Sequence, residues 1–82
     1  MSFQYRGDNY EYEIEVEPEQ TGLGLNYFRA TLKRLAIRKE TGGALIDQDL
    51  SLFGPVDLKT EIEARDRLSA NVQIWLQRES YI

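Results

Sequence analysis

Tyr10-Glu11-Tyr12-Glu13-Ile14-Glu15-Val16-Glu17 is the stretch whose reading decides the fold. Apolar and acidic residues alternate over eight positions without a break. Successive side chains of a strand point to opposite faces, so Tyr10, Tyr12, Ile14 and Val16 share one face and the four glutamates share the other. Just before it, Gly7-Asp8-Asn9 supplies residues that tolerate the positive φ of a tight turn. Residues 3–5 are short and aromatic. The spacing predicts an N-terminal hairpin that pairs residues 2–6 with this strand. Pro18 has no N–H to give a ladder and is expected to end the strand.

Beyond Pro18, residues 20–24 (Gln-Thr-Gly-Leu-Gly) read as a flexible connection. Residues 25–41 admit two readings. As a helix, Leu25, Phe28, Leu32, Leu35 and Ala36 line one face, and Gly42-Gly43 falls where a C-cap glycine belongs. As strands, Phe28, Ala30 and Leu32 alternate, the register slips before Leu35 and Ile37, and Thr41-Gly42-Gly43 becomes a hairpin turn. The helix is the preferred reading, and it leaves Tyr27 and Ile37 exposed. Ala44, Leu45 and Ile46 suggest a short strand, and Leu50, Leu52 and Phe53 are expected to pack inward.

No glycine or proline interrupts residues 56–82. With Asp57 as N-cap, a helix from about 57 to 78 places Leu58, Ile62, Arg65, Leu68, Val72, Trp75 and Leu76 on one stripe at three- and four-residue spacing. Tyr81 and Ile82 would dock back on it. The expected architecture is a single α+β domain over residues 1–82. A small antiparallel sheet beginning with the N-terminal hairpin packs against a long C-terminal helix and one middle helix.

Composition narrows the chemistry. The chain has 82 residues, with 41% apolar and 29% charged, a composition that folds instead of remaining disordered. It has neither cysteine nor histidine, so disulfides, thiolate sites and imidazole-dependent metals are not expected, and the reading assigns no cofactor. Ser-His and Cys-His catalytic pairs cannot be built. A carboxylate pair, or a tyrosine with a lysine, could act as acid and base, but no spacing selects one, and the chain reads as non-catalytic. No run approaches the roughly 20 apolar residues of a membrane-spanning helix, and residues 1–6 lack the apolar core of a signal peptide. The expectation is a cytoplasmic protein with no membrane partner.

Charge is segregated. Residues 1–20 hold one basic and six acidic groups, a net −5; residues 21–46 hold five basic and one acidic, a net +4; residues 47–82 carry −3. Four carboxylates on one strand face repel one another. Glu11, Glu13, Glu15 and Glu17 could dock a basic partner, imitate the phosphate row of DNA, hold a hard cation, or form a solvated face that discourages edge aggregation. Arg29, Lys33, Arg34 and Arg38 could grip phosphates, dock a partner, or balance those glutamates internally. Asp47, Asp49 and Asp57 lack the spacing of a calcium loop and read as turn and capping residues. Arg65, on the apolar stripe, is expected to snorkel or to pair with Glu61, Asp66 or Ser69. Trp75 and Tyr81 belong to a C-terminal aromatic cluster that could pack inward or form a dimer or partner surface.

The stretch Tyr5-Arg6-Gly7-Asp8-Asn9-Tyr10-Glu11-Tyr12, followed by Glu15-Val16-Glu17, resembles the opening of a family of small cyanobacterial proteins of unknown function. That family often begins with an aromatic strand, Tyr-Arg-Gly-x-x-Tyr and an acidic continuation. The likeness covers about the first 17 residues. It departs after Pro18, where Tyr27-Phe28-Arg29 stands in place of a second such segment. The resemblance implies a bacterial cytoplasmic protein without an established activity and supplies no site residues. The functional expectation is therefore an accessory module that binds another protein or a second copy of itself. The alternative is a nucleic-acid-related protein, acting directly through residues 29–39 or as a DNA mimic through residues 11–17.

Overall fold

The computed structural model describes residues 1–81. The alternating stretch is strand β2 (Tyr10–Gln20), and β1 (Ser2–Arg6) pairs antiparallel with it, from Ser2 opposite Glu15 to Arg6 opposite Glu11. The hairpin is as the sequence predicts. The Gly7 N–H donates to the Tyr10 carbonyl at 2.9 Å, and a Cβ at Gly7 would overlap the Tyr10 ring.

Residues 25–41 are not a helix. They form β3 (Asn26–Ile37), antiparallel to β2 along its whole length. The misreading has a physical cause. Glu13 faces Arg34 while its neighbour Ile14 faces Leu32, so Lys33 is an extra residue in β3, a β-bulge. One inserted residue turns a two-residue period into the spacing 28, 32, 35, which imitates a helix stripe. Ile37, exposed on the helix reading, is buried here, as are Ala30, Leu32 and Leu35. Gly42, at φ +78°, lies in a tight turn in which Gly43 N–H donates to the Glu40 carbonyl at 2.9 Å. That turn leads to β4 (Ile46–Asp47), which pairs with Ala36 and Ile37.

Pro18 does not end β2 either. Val16 exchanges both its backbone hydrogen bonds with Met1, on the β1 side. Two residues on, Pro18 turns its ring nitrogen to that same side, past the end of β1, where no donor is required. β2 therefore continues to Gln20, and residues 21–25 close a tight turn in which Thr21 Oγ1 accepts from Leu23 and Leu25 N–H at 3.3 and 3.1 Å.

β5 (Val56–Leu58) pairs with Phe28, Arg29 and Ala30 of β3, so Asp57 lies in a strand and caps no helix. The helix, α1 (Glu61–Arg78), starts later, with Thr60 as N-cap accepting from Glu63 N–H at 3.2 Å. It is the helix of an α+β fold in which the strands lie in the order β1-β2-β3-β4, with β5 also on β3. Ala64, Leu68, Val72 and Leu76 of α1 pack on Tyr12, Ile14, Val16, Ala30, Leu32, Leu35 and Ile37. Ile62 is 61% exposed and Leu52 73% exposed, against the expectation that both pack inward; Leu50 and Phe53 do.

After α1 the chain reverses. Ser80 adopts φ 65°, its N–H donates to the Gln77 carbonyl, and Tyr81 N–H donates to the Leu76 carbonyl at 2.9 Å. This pair of bonds closes the helix end and stacks Tyr81 on Trp75. The docking expected of Ile82 lies outside the described residues.

Candidate functional site

The outer face of the sheet, opposite α1, brings together the acidic and basic segments. Glu17 faces Arg29, Glu15 faces Thr31 and Glu13 faces Arg34 across the β2–β3 ladder. The ions do not simply pair with the residue opposite. Arg34 bridges Glu11 at 2.6 Å and Asp47 at 3.0 Å; Lys33 meets Glu15 at 3.4 Å; Arg6 meets Glu11 at 3.4 Å. Arg29 forks onto Asp57 through Nε at 2.8 Å and Nη2 at 3.0 Å, and lies over the Tyr27 ring at 5.8 Å. Glu13 accepts from the Gln4 amide at 3.3 Å. Arg38 turns onto the first hairpin, donating to the Asp8 carbonyl at 3.4 Å.

These contacts set the protonation of the face. Hydrogen bonds to Glu11 and Asp47 raise Arg34 above its ordinary value, and Asp57, bonded to Arg29, is held below its own. Glu15 is lowered first by its contact with Glu17 and then by Lys33, while Glu17 is raised by Glu15. The four glutamates and Arg29, Lys33 and Arg34 thus form one mixed-charge layer. Glu11 and Glu15 are balanced within the chain, by Arg6, Arg34 and Lys33, while Glu13 and Glu17 make no ion pair among the described residues.

Trp75 and Tyr81 are also accounted for. Trp75 meets Phe53 edge-on, with ring centroids 5.9 Å apart, and stacks on Tyr81 at 6.1 Å. All three rings pack against the core.

The edge of β1 is different. Met1 exchanges hydrogen bonds with Val16, and Gly7 donates to Tyr10, so Phe3 and Tyr5 between them also bond inward to β2. The N–H and C=O groups of Ser2, Gln4 and Arg6 therefore point away from the sheet. No strand pairs with them among the described residues. Beside this edge runs an open groove of about 740 Å³ between β1 and α1. Its floor is the half-buried Phe3 and Tyr5; its wall is Arg65, Ser69 and Gln73. Tyr5 stacks on Tyr12 at 4.7 Å, and Tyr12 reaches up to Ser69 Oγ and Gln73 Nε2, both at 2.8 Å. Arg65 sits 4.9 Å above the Phe3 ring and holds Asp66 at 3.0 Å. The wall and the floor are thus tied to each other, and burial raises the Tyr5 hydroxyl above its usual value.

Sequence reasoning missed this edge. Residues 3–5 read as a short aromatic strand, but whether its second side lies open depends on whether β3 joins β2 or β1. Among the described residues no cluster of three or more acidic, His or Cys side chains is placed to hold a metal ion. No described helix is long and apolar enough to cross a membrane. No protein-family model, curated protein or solved structure matches the chain.

Proposed function

We propose that this chain is a non-catalytic protein-binding module that takes an extended segment onto the edge of β1. The observation that carries the reading is the row of outward backbone groups at Ser2, Gln4 and Arg6, lying beside an aromatic-floored groove. An added strand would satisfy those groups in the ladder geometry they already hold, and its alternate side chains would enter the groove. Main-chain bonding gives such a site affinity, and the groove gives it selectivity. The rest of the surface offers less. The nucleic-acid alternative draws little support from Arg29, Lys33 and Arg34, which are held by carboxylates of the same chain.

A displayed library of extended peptides, selected against the immobilised protein, tests the reading. Binders should slow amide hydrogen exchange at Ser2, Gln4 and Arg6, and Gln4→Pro should abolish their binding while the fold survives. Binders that leave all three amides exchanging freely would sink it. Salt-sensitive retention of a mixed oligonucleotide would instead favour the basic segment.

A further inference from the structure

The edge of β1 is complementary to itself, and we infer that the segment it takes is β1 of a second copy of this chain. The inference rests on the strand-addition reading above and names its partner. Consider two β1 strands running antiparallel about a two-fold axis through Gln4. Ser2 then lies opposite Arg6 of the second copy, Gln4 opposite Gln4, and Arg6 opposite Ser2. These are the residues whose backbone groups point outward, so every outward N–H on both strands finds a carbonyl. A register shifted by one would set outward groups against inward ones, and a shift by two would leave an end unpaired.

Side chains agree with that register on both faces. On the helix side, Phe3 lies opposite Tyr5 of the second copy and Tyr5 opposite Phe3, in the closer, non-hydrogen-bonded type of pair that aromatic residues favour. On the outer face, Ser2 is flanked within its own sheet by Glu15. Arg6 of one copy therefore faces a short serine with a glutamate immediately behind it. Two strand spacings are about 10 Å, a distance that an extended arginine and a glutamate span together. The Arg6 side chain is 80% exposed and makes one 3.4 Å contact, to Glu11, so it has reach and donors to spare. The joined sheet would carry Glu15, Ser2, Arg6 and Glu11 in a row, with each arginine between two carboxylates. The two Gln4 amides meet at the axis.

Helix α1 does not obstruct this. It packs over β2, β3 and β5 and reaches β1 through the Arg65 side chain above Phe3, on the face of the sheet and not along its edge, so two copies would bring their grooves together into one aromatic-floored channel.

Sedimentation equilibrium of the wild type over about 1 µM to 1 mM tests the inference, with Arg6→Glu and Glu15→Lys as variants. The wild type should form dimers. Each variant alone should associate at least about tenfold more weakly, because each sets like charges against one another at both ends of the pair. An equimolar mixture of the two variants should dimerise again. Their heterodimer sets the introduced glutamate against the introduced lysine at one end and keeps the native Arg6 with the native Glu15 at the other. Mixing also guards against misfolding, because neither sequence changes on mixing. Dimers that persist undiminished in both variants, or a wild type monomeric throughout, would overturn the inference. The wider reading fails separately: a monomeric wild type whose β1 amides are protected by a selected peptide keeps the edge as a binding site, whereas a dimer that survives Gln4→Pro, and that leaves the Ser2, Gln4 and Arg6 amides of the wild type unprotected, removes it.

Discussion

Along the outer side of β3, two short strands hydrogen-bond to either end of a long one; along the outer side of β1, no described strand does. The two edges belong to one sheet and face the same solvent. β3 is covered because residues 38–60 double back, placing β4 on Ala36 and Ile37 and β5 on residues 28–30, with Gln48 N–H donating to the Leu35 carbonyl between them. These short covering strands use little of the chain and occupy both ends of a long edge. β1, by contrast, is left with three outward residues, one charge and a groove. The sheet thus covers both ends of one edge and leaves the other bare, which is the contrast that the proposed binding at β1 rests on.

Proline substitution should break the comparison most sharply. Glu15 and Thr31 are an exchange pair of the β2–β3 ladder, because Val16, next to Glu15, spends its own bonds on Met1. Thr31→Pro removes one of those bonds and forces φ in the middle of the sheet, a cost on the order of 3 kcal/mol. That is a large share of the roughly 4–12 kcal/mol expected of a domain this size. Gln4→Pro removes an N–H that points to solvent, as Pro18 already does on the same side of β2, and should cost no more than about 1 kcal/mol. Urea titration of the two variants measures the ratio. Similar losses would mean that β1 contributes to the fold as much as the covered edge does.

Helix α1 allows the same contrast across its own faces. Leu68→Ala, at a buried position above the sheet, should destabilise by about 2–5 kcal/mol, while Ile62→Ala, largely exposed, should stay within about 0.5 kcal/mol. Tyr12→Phe is more specific. It deletes the hydroxyl that meets Ser69 and Gln73, at about 1 kcal/mol by thermal melting, and loosens the groove wall beside β1 without touching β4 or β5. Association of the wild-type edge should weaken along with it.

How much of this could be read from the chain follows the same division. The hairpin of β1 and β2, the C-terminal helix with Leu68, Val72 and Leu76 inward, and the return of Tyr81 all obey local rules of period and capping. β3 was obscured by a single inserted residue, Lys33, whose effect on periodicity looks helical until the partner strand is known. The late start of α1 has a similar origin. Asp57 and Thr60 are both good N-caps, and Asp57 is drawn instead into β5, where it lies opposite Arg29, 28 residues earlier in the chain. The glutamate face was legible as a face, but which of its carboxylates meet a cation depends on the strands beside β2. The open edge was illegible for the same reason, since an edge is defined by the strand that is not there.

The smallest expected effect probes the covered edge through that same ion pair. Arg29 and Asp57 tie β5 to β3, with each side chain 41% exposed. At that exposure solvent screens the attraction, and Asp57→Asn should cost less than about 1 kcal/mol at neutral pH. Its pH dependence has a definite sign. The Asp57 carboxyl is held below its ordinary value of 3.8 by the hydrogen bonds from Arg29. A depressed carboxyl stabilises the folded state fully above that ordinary value, and its contribution drains away as pH falls through the lowered one. The stability gap between wild type and Asp57→Asn should therefore be constant from neutral pH down to about 4 and close below it. A gap that stays open in acid would mean that Asp57 serves β5 through its place in the strand instead of its charge, and that backbone pairing alone keeps the β3 edge covered.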